Sequence, residues 1–356
     1  MKIRVLVVDD SALMRAVLSE VINARADMQV VGVAKNALEA QESIKSLSPD
    51  VMTLDVDMPH VNGLDFLAQV MKQRPMPVIM VSSLTERGSE TTLRALELGA
   101  VDFVPKPKID PVGGIKAYAD ELCDKIRAAK LSNRRALPPE GSKPVERTPT
   151  AETLPPLSSR ILQERLVMIG ASTGGTEAIK EVLTGFPEKM PGIMIVQHMP
   201  EMFTGSFAKR LDGLCKIRVK EAEDGESIKP GVAYIAPGHS HLSVQRSATG
   251  FSCELSRAEP VNRHRPSVDV LFNSAARVVG AQGLGVMLTG MGKDGAMGML
   301  AMRKAGAYNI CQDQQSCVVW GMPREATING AAHEVVALAG VAGRVLARLR
   351  APDSRS

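Results

Sequence analysis

Residues 3–8 (IRVLVV) form a run that is apolar but for Arg4 and rich in β-branched side chains. Such a run reads as a strand buried on both faces of a sheet. Ser11 can cap the segment that follows, where Leu13, Val17 and Val21 recur at i+4, the spacing of one helix face. The alternation then repeats. It predicts strands at 29–34, 51–54, 77–81 and 101–104, and helices at 36–47, 62–73, 88–98 and 113–128. Strands and helices in strict alternation predict a parallel, doubly wound sheet.

The rhythm fails over 130–160. Pro138, Pro139, Pro144, Pro149, Pro155 and Pro156 stand there among scattered Ser, Thr, Glu and Arg, and no apolar period survives. That composition predicts a linker, partly extended by its prolines. Alternation resumes at 166–170 (LVMIG), with strands expected at 193–197, 217–221, 232–236, 241–245, 284–289 and 308–312. Helices are expected near 175–184, 203–212, 267–280, 295–305 and 334–349, and an antiparallel hairpin near 232–245. The chain therefore divides into an α/β domain at 1–128, a linker at 129–160 and a second α/β domain at 161–350.

The length of 356 residues suits two domains and a connector. Aromatic residues make up only 3%, so both cores rest on aliphatic side chains and few platforms exist for stacking nucleobases. Net charge is +4, and residues 1–128 hold 15 Lys/Arg against 18 Asp/Glu. No basic stripe marks a nucleic-acid surface. Five cysteines without a C-x-x-C pattern read as reduced thiols of the cytosol. The N-terminus is too short and too acidic for a signal peptide, and no apolar run approaches the length of a membrane helix. A cytoplasmic protein with no membrane insertion is expected.

Asp9 and Asp10 end the first predicted strand, Asp55 ends the third, Ser82 ends the fourth and Lys106 follows the fifth. In open α/β sheets, strand carboxyl ends form the ligand crevice. Carboxylates gathered there repel one another unless a cation neutralises them, and Mg²⁺ favours such hard oxygen ligands. A hydroxyl and an ammonium at the same crevice can bind phosphoryl oxygens. Solvated strand-end carboxylates are common singly; matching residue types at successive strand ends are not.

With Val-Val-Asp9-Asp10-Ser11, Leu54-Asp55-Val-Asp57-Met-Pro59 with Gly63, Val81-Ser82 and Phe103-Val-Pro-Lys106-Pro107, residues 1–128 resemble a response-regulator receiver domain, which is flavodoxin-like. The resemblance implies that Asp55 accepts phosphate. It implies Mg²⁺ held by the carboxylates of Asp10 and Asp55 and the backbone carbonyl of Asp57. Ser82 and Lys106 would contact the phosphoryl group, Phe103 would be the aromatic switch position, and Lys106–Pro107 is a candidate cis peptide. Asp57 is itself chemically able to accept phosphate, but the Met-Pro that follows fixes the register on Asp55. Glu is more usual at position 57.

Ser172 lies in Gly170-Ala-Ser-Thr-Gly174-Gly175, a G-x-S-x-G turn after a buried strand and before a helix. Such a turn can expose a serine Oγ and set backbone N–H groups near a helix start. Taken alone it could equally hold a phosphate or simply cap the helix. Partners alter the balance. His198 follows the strand at 193–197, and Asp294 follows the strand at 284–289 within Leu288-Thr-Gly-Met-Gly-Lys-Asp-Gly-Ala296. All three fall at carboxyl ends of one sheet, as a Ser–His–Asp relay requires. The order Ser, His, Asp differs from that of α/β-hydrolases, so a different, Rossmann-like fold is expected. His60, His239, His241, His264 and His333 read as surface or turn histidines.

These segments, with Gln197-His-Met-Pro200, Pro237-Gly238, His241-Leu242 and Arg265-Pro-Ser-Val-Asp269, resemble the catalytic domain of chemotaxis protein-glutamate methylesterases. The resemblance covers most of 165–349. It implies catalytic Ser172, His198 and Asp294, oxyanion donors at the amides of Thr173 and Met291, and no cofactor for the ester chemistry. It further implies chemoreceptor cytoplasmic domains as substrate, a chemotaxis histidine kinase as phosphodonor, and an unphosphorylated receiver that covers the catalytic cleft. Many relatives also deamidate receptor glutamines. Arg263 and Arg265 could meet an acidic receptor helix, although loop arginines are usually just solvated.

Other classes fit less well. A DNA-binding regulator needs a helix-turn-helix and a basic face, which the strand-rich second half lacks. A nucleotide-binding effector would need the G-K-[ST] of a P-loop or a full G-x-G-x-x-G.

Overall fold

The computed structural model describes residues 1–58, 62–83, 85–107, 114–132, 156–248 and 250–351. Most of the predicted linker, together with Pro59 and His60, lies outside the described residues. The chain forms two compact units, Met1–Leu137 and Pro138–Ser356.

The first unit runs β1 (Ile3–Val8), α1 (Ala12–Asn23), β2 (Met28–Ala34), α2 (Ala37–Leu47), β3 (Val51–Asp55), α3 (Gly63–Gln73), β4 (Val78–Ser82), α4 (Glu86–Glu97), β5 (Asp102–Pro105) and α5 (Gly114–Leu131). Its strands are all parallel, in the order β2-β1-β3-β4-β5. The run that opens the chain is central: Val5, Leu6 and Val7 are fully buried. Helices on both faces make that burial possible, which is why the strand carries no polar alternation. Ser11 caps α1 as expected, its Oγ accepting the N–H of Met14. The chain leaves β1 for β2 on one side and returns to β3 on the other, so a crevice opens at the carboxyl ends of β1 and β3.

The second unit runs α6 (Ser159–Glu164), β6 (Leu166–Ala171), α7 (Gly175–Thr184), β7 (Gly192–Gln197), α8 (Glu201–Asp212), β8 (Arg218–Glu221), β9 (Val232–Ile235), β10 (His241–Ser247) and β11 (Gly250–Ser256). It continues with α9 (Val268–Val278), β12 (Gly283–Met287), α10 (Ala296–Lys304), β13 (Tyr308–Gln312), α11 (Met322–Ile328), β14 (Glu334–Val336) and α12 (Leu338–Arg350). Seven parallel strands order as β14-β13-β12-β6-β7-β9-β8. Here β6 is followed by β7 on one side, and β12 later takes the other. The topological switch point falls between β6 and β12, the default place for a site in such a sheet.

Three local expectations need correction. The antiparallel hairpin joins β10 to β11, not 232–236 to 241–245. Val232–Ile235 is instead a buried strand between β7 and β8, parallel to both. The hairpin packs its alternate residues Val244, Phe251 and Cys253 into the core shared with α9, where Ser274 Oγ accepts the N–H of Val244. The helix expected at 334–349 starts only at Leu338, because Glu334–Val336 pairs with β13. Among the described residues the cis peptide is Arg265–Pro266 rather than Lys106–Pro107.

Candidate active site

The turn that carries Ser172 follows from the chain path. β6 ends at Ala171 and α7 begins at Gly175, leaving three residues to reverse the backbone. Gly174 takes φ +76°, a left-handed conformation that favours glycine, and a Cβ there would also strike Val318. The turn is tied down on every side. Ser172 N–H donates to the carbonyl of Thr289 (3.0 Å), and the Ser172 carbonyl accepts from Gly175 N–H (2.7 Å) and Gln197 Nε2 (3.0 Å). Ser172 stays partly exposed while Ala171 and Thr173 beside it are buried.

β7, the neighbour of β6, delivers His198 from its carboxyl end. The imidazole Nδ1 lies 3.2 Å from Ser172 Oγ, and Nε2 lies 2.8 Å from Asp294 Oδ2. A neutral ring with its proton on Nε2 then offers a lone pair to the serine hydroxyl and an N–H to the carboxylate. The two nitrogens are used in the opposite sense to the serine-protease template, but the proton relay needs only this complementarity.

Asp294 follows β12, on the other side of β6, and is buried. Its carboxylate is saturated with donors. Oδ2 accepts His198 Nε2 and the Val268 N–H (2.7 Å); Oδ1 accepts Ser267 Oγ and Asn262 Nδ2, both at 2.7 Å. Val268 and Asp269 open α9, so the carboxylate also sits at the positive end of that helix. Burial alone would raise its pKa. The hydrogen bond and charge of His198, with the bonds from Asn262 and Ser267, outweigh burial and hold the group below the usual carboxylate range.

The expected oxyanion donors flank the serine. Thr173 is its chain neighbour. Met291 follows Gly290, where a Cβ would stand 2.9 Å from Ser172 Cβ, so the Gly290–Met291 peptide passes against Ser172. Thr289 braces both sides: its Oγ1 lies 3.0 Å from the Thr173 carbonyl and accepts the Val319 N–H, and its own N–H donates to Gln312 Oε1. Sequence reasoning missed Thr289, Gln197 and Gln312 as supports. Each is a polar residue at or beside the end of a buried strand, which is the one signal that could have found them.

His264, expected as a surface or turn histidine, does close a turn, and it also meets the site. That ring stacks on His198, with centroids 3.8 Å apart and planes 13° from parallel. The remaining histidines are structural where described. His241 is buried, with Nδ1 accepting the Ser267 N–H and Nε2 facing the Glu259 carbonyl at 3.1 Å. His239 pairs with Ser240, and His333 accepts the Asn309 N–H while stacking on Tyr308. Arg265 is held by the carbonyls of Arg257 and Ala258.

The first unit carries the second cluster. Carboxylate oxygens of Asp9, Asp10 and Asp55 lie within 4.8 Å of one another. Asp9 and Asp55 are fully buried. Lys106 Nζ donates to Asp55 Oδ2 (2.7 Å) and stands 3.4 Å from Asp9 Oδ2, a buried oxygen with no well-formed hydrogen bond. Three carboxylates facing one ammonium leave a negative excess, and this donor set fits a hard divalent cation. Burial pushes Asp55 up, Lys106 opposes it and the charge of Asp9 adds to it, for a pKa of about 6. Asp57 differs: it is exposed, and its carboxylate accepts Ser83 Oγ (3.1 Å). Ser82 is buried at the end of β4, and Phe103 is buried in β5 with Lys125 Nζ 5.1 Å from its ring centroid.

Comparison with known proteins adds to this geometry. Residues 167–345 match the family described as CheB methylesterase, and residues 5–112 match the response regulator receiver domain. A protein-glutamate methylesterase/protein-glutamine glutaminase of Nitrosomonas europaea is 58% identical over 348 residues, covering 98% of this chain and 97% of that protein. One of the same description from Thiobacillus denitrificans is 57% identical, covering 100% and 99%. The crystal structure of the Thermotoga maritima CheB methylesterase catalytic domain aligns with TM-score 0.51 at 37% identity, over 52% of this chain and 98% of that one.

Proposed function

The chain belongs to the CheB methylesterase family, in the arrangement that carries a response regulator receiver domain, and from that footing we propose which of its residues perform the chemistry. Its activity is hydrolysis of glutamate γ-methyl esters on chemoreceptors, with release of methanol, and deamidation of glutamine, regulated by phosphorylation of the receiver. Residues 161–350 form the esterase, 1–128 the receiver and 129–160 the linker. The observation that carries the assignment is His198 standing between Ser172 Oγ and Asp294 Oδ2 at 3.2 and 2.8 Å, on three adjacent strand ends.

Ser172 Oγ attacks the side-chain carbonyl as His198 Nδ1 takes its proton. The carbonyl oxygen becomes an oxyanion facing the amides of Thr173 and Met291. Asp294 steadies the imidazolium. His198 returns the proton to the departing methoxide, methanol leaves, and the receptor glutamyl group is esterified to Ser172. Water then attacks the acyl-enzyme, with His198 accepting its proton and passing it to Ser172 Oγ. The receptor carboxylate is released. With a glutamine side chain the leaving group is ammonia and the second half is the same. No cofactor is required by these steps.

In the receiver, Asp55 takes the phosphoryl group of a chemotaxis histidine kinase. Lys106 and Ser82 receive the phosphoryl oxygens. Mg²⁺ would be held by the carboxylates of Asp10 and Asp55 and the backbone carbonyl of Asp57, with Asp9 beside them, and would supply positive charge to the transferring group. No helix among the described residues is long and apolar enough to cross a membrane; action on the cytoplasmic domains of chemoreceptors requires the protein to work in the cytoplasm. Mass spectrometry of chemoreceptor peptides after incubation tests both reactions: the account expects loss of methyl groups from methylated glutamates and conversion of glutamines to glutamates.

A further inference from the structure

The two hydrogen bonds of His198 grip its ring at opposite edges. Edge contacts of this kind leave the ring free to tilt about the line that joins them. His264 removes that freedom by lying flat on one face. It is held there by an unusual turn. Asn262 and Arg263 adopt φ +53° and +68°, consecutive left-handed conformations in residues that have side chains. Asn tolerates this region better than most residues, but Arg does not, and such a conformation persists only where its surroundings impose it. Val261 and His264 close the turn reciprocally: Val261 N–H donates to the His264 carbonyl (3.1 Å), and His264 N–H donates to the Val261 carbonyl (2.9 Å).

The same turn reaches the other relay partner. Asn262 Nδ2 donates to Asp294 Oδ1 and to Asp269 Oδ2, each at 2.7 Å. Asp269 is buried, and its Oδ1 accepts the Gly298 N–H in α10. Within this four-residue turn, His264 thus touches the face of the general base and Asn262 the outer oxygen of the carboxylate that orients it. Strained backbone concentrated at such a point is the pattern of a functional rather than an incidental loop.

We propose that His264 is a positioning residue: its ring fixes the plane of His198 and keeps water off that face, and the turn Val261–His264 exists to hold it there. This inference rests on the esterase reading above. A flat ring is the requirement, not a titrating nitrogen.

The test compares His264→Ala and His264→Phe in the full chain. With methylated chemoreceptor membranes, kcat for methanol release should fall about 10- to 100-fold in the alanine variant, as expected for a displaced catalytic group, while KM stays within about twofold and the phenylalanine variant keeps most of kcat. Nitrogen-15 imidazole spectra give a second readout that needs no substrate. Wild type and His264→Phe should show His198 as a single tautomer protonated on Nε2; His264→Ala should show averaging. Should the alanine variant fail to fold, His264→Leu, which fills space without a flat face, takes its place with the same expectation. Full activity and a single tautomer in the alanine or leucine variant would overturn the proposal. So would a phenylalanine variant as weak as alanine, since the nitrogen and not the face would then matter. Absence of methanol release by wild type would sink the esterase reading, and the spectra would still decide the role of His264.

Discussion

Asp294 Oδ2 accepts the backbone N–H of Val268 at 2.7 Å, and this is the same oxygen that faces His198. The carboxylate that faces His198 therefore also caps α9, doing for that helix what the Ser267 side chain does not. On the proposed function, orientation of the general base and stability of the helix depend on one group.

Asp294→Asn should for that reason damage both. An amide keeps the shape but turns an NH₂ toward at least one of several donors. Activity should fall by about 10³- to 10⁴-fold, the scale set by losing the correct histidine tautomer. Thermal or urea unfolding should show a loss of about 1–3 kcal/mol near neutral pH, because buried donors lose their acceptor. The native pKa of Asp294 is depressed, so its stabilisation is present above the unfolded carboxylate range and lost as pH falls through the folded value. The stability gap between variant and wild type should narrow in acid.

Thr289→Val tests the brace beneath the nucleophile. The substitution conserves shape but strips the hydroxyl from the Thr173 carbonyl and the Val319 N–H, both bonded to it. Leaving such buried groups unpaired costs about 1–3 kcal/mol. The turn that presents Ser172 should loosen, and kcat should fall by about tenfold with little change in KM. Thr289→Ser, which restores the hydroxyl, should recover most of the loss. Equal kcat in the valine variant would remove Thr289 from the support of the site.

Asp55 makes the opposite kind of prediction. It ionises at about 6 in the folded chain, against about 3.9 for an unperturbed aspartate. Between those values the folded chain binds a proton that the unfolded chain has lost, so stability falls as pH rises through this window. The penalty is absent below it and complete above it. Asp55→Asn should therefore be more stable than wild type at about pH 7.5, by about 1–3 kcal/mol, and the gap should close towards about pH 4. Mg²⁺ should raise the melting temperature of wild type more than that of the variant. In phosphodonor labelling, Asp55→Asn should take up no phosphate and lose stimulation of the esterase, while Asp57→Ala should still be labelled.

Much of this arrangement was legible along the chain because buried parallel strands announce themselves as continuous apolar runs. Chemistry at their carboxyl ends then follows by position: Asp9, Asp55, Ser82 and Lys106 in one sheet, and Ser172, His198 and Asp294 in the other. What stayed hidden depends on which loops fold back over those ends. Asn262 and His264 sit between β11 and α9, and no period ties them to His198. The left-handed turn that brings them there is carried by Asn262 and Arg263, without the glycines that usually mark one. Thr289 lay inside a motif already noted, but its bond to the Thr173 carbonyl exists only once β12 lies beside β6. The hairpin was misplaced for a related reason. Val232–Ile235 is short and fully apolar, like an interior strand, whereas Gly250–Ser256 alternates too weakly to mark a hairpin arm.

On the proposed function, Ser172 is the nucleophile of a chemoreceptor methylesterase. Methanol release from methylated chemoreceptor membranes, with wild type and Ser172→Ala side by side, tests it most directly. The account predicts release by wild type that rises with a phosphodonor. The variant should release none above background, with a nearly unchanged melting temperature because Ser172 is only partly buried. Methanol release by Ser172→Ala at the wild-type rate would contradict the assignment of the nucleophile, and no release by phosphorylated wild type would contradict the activity itself.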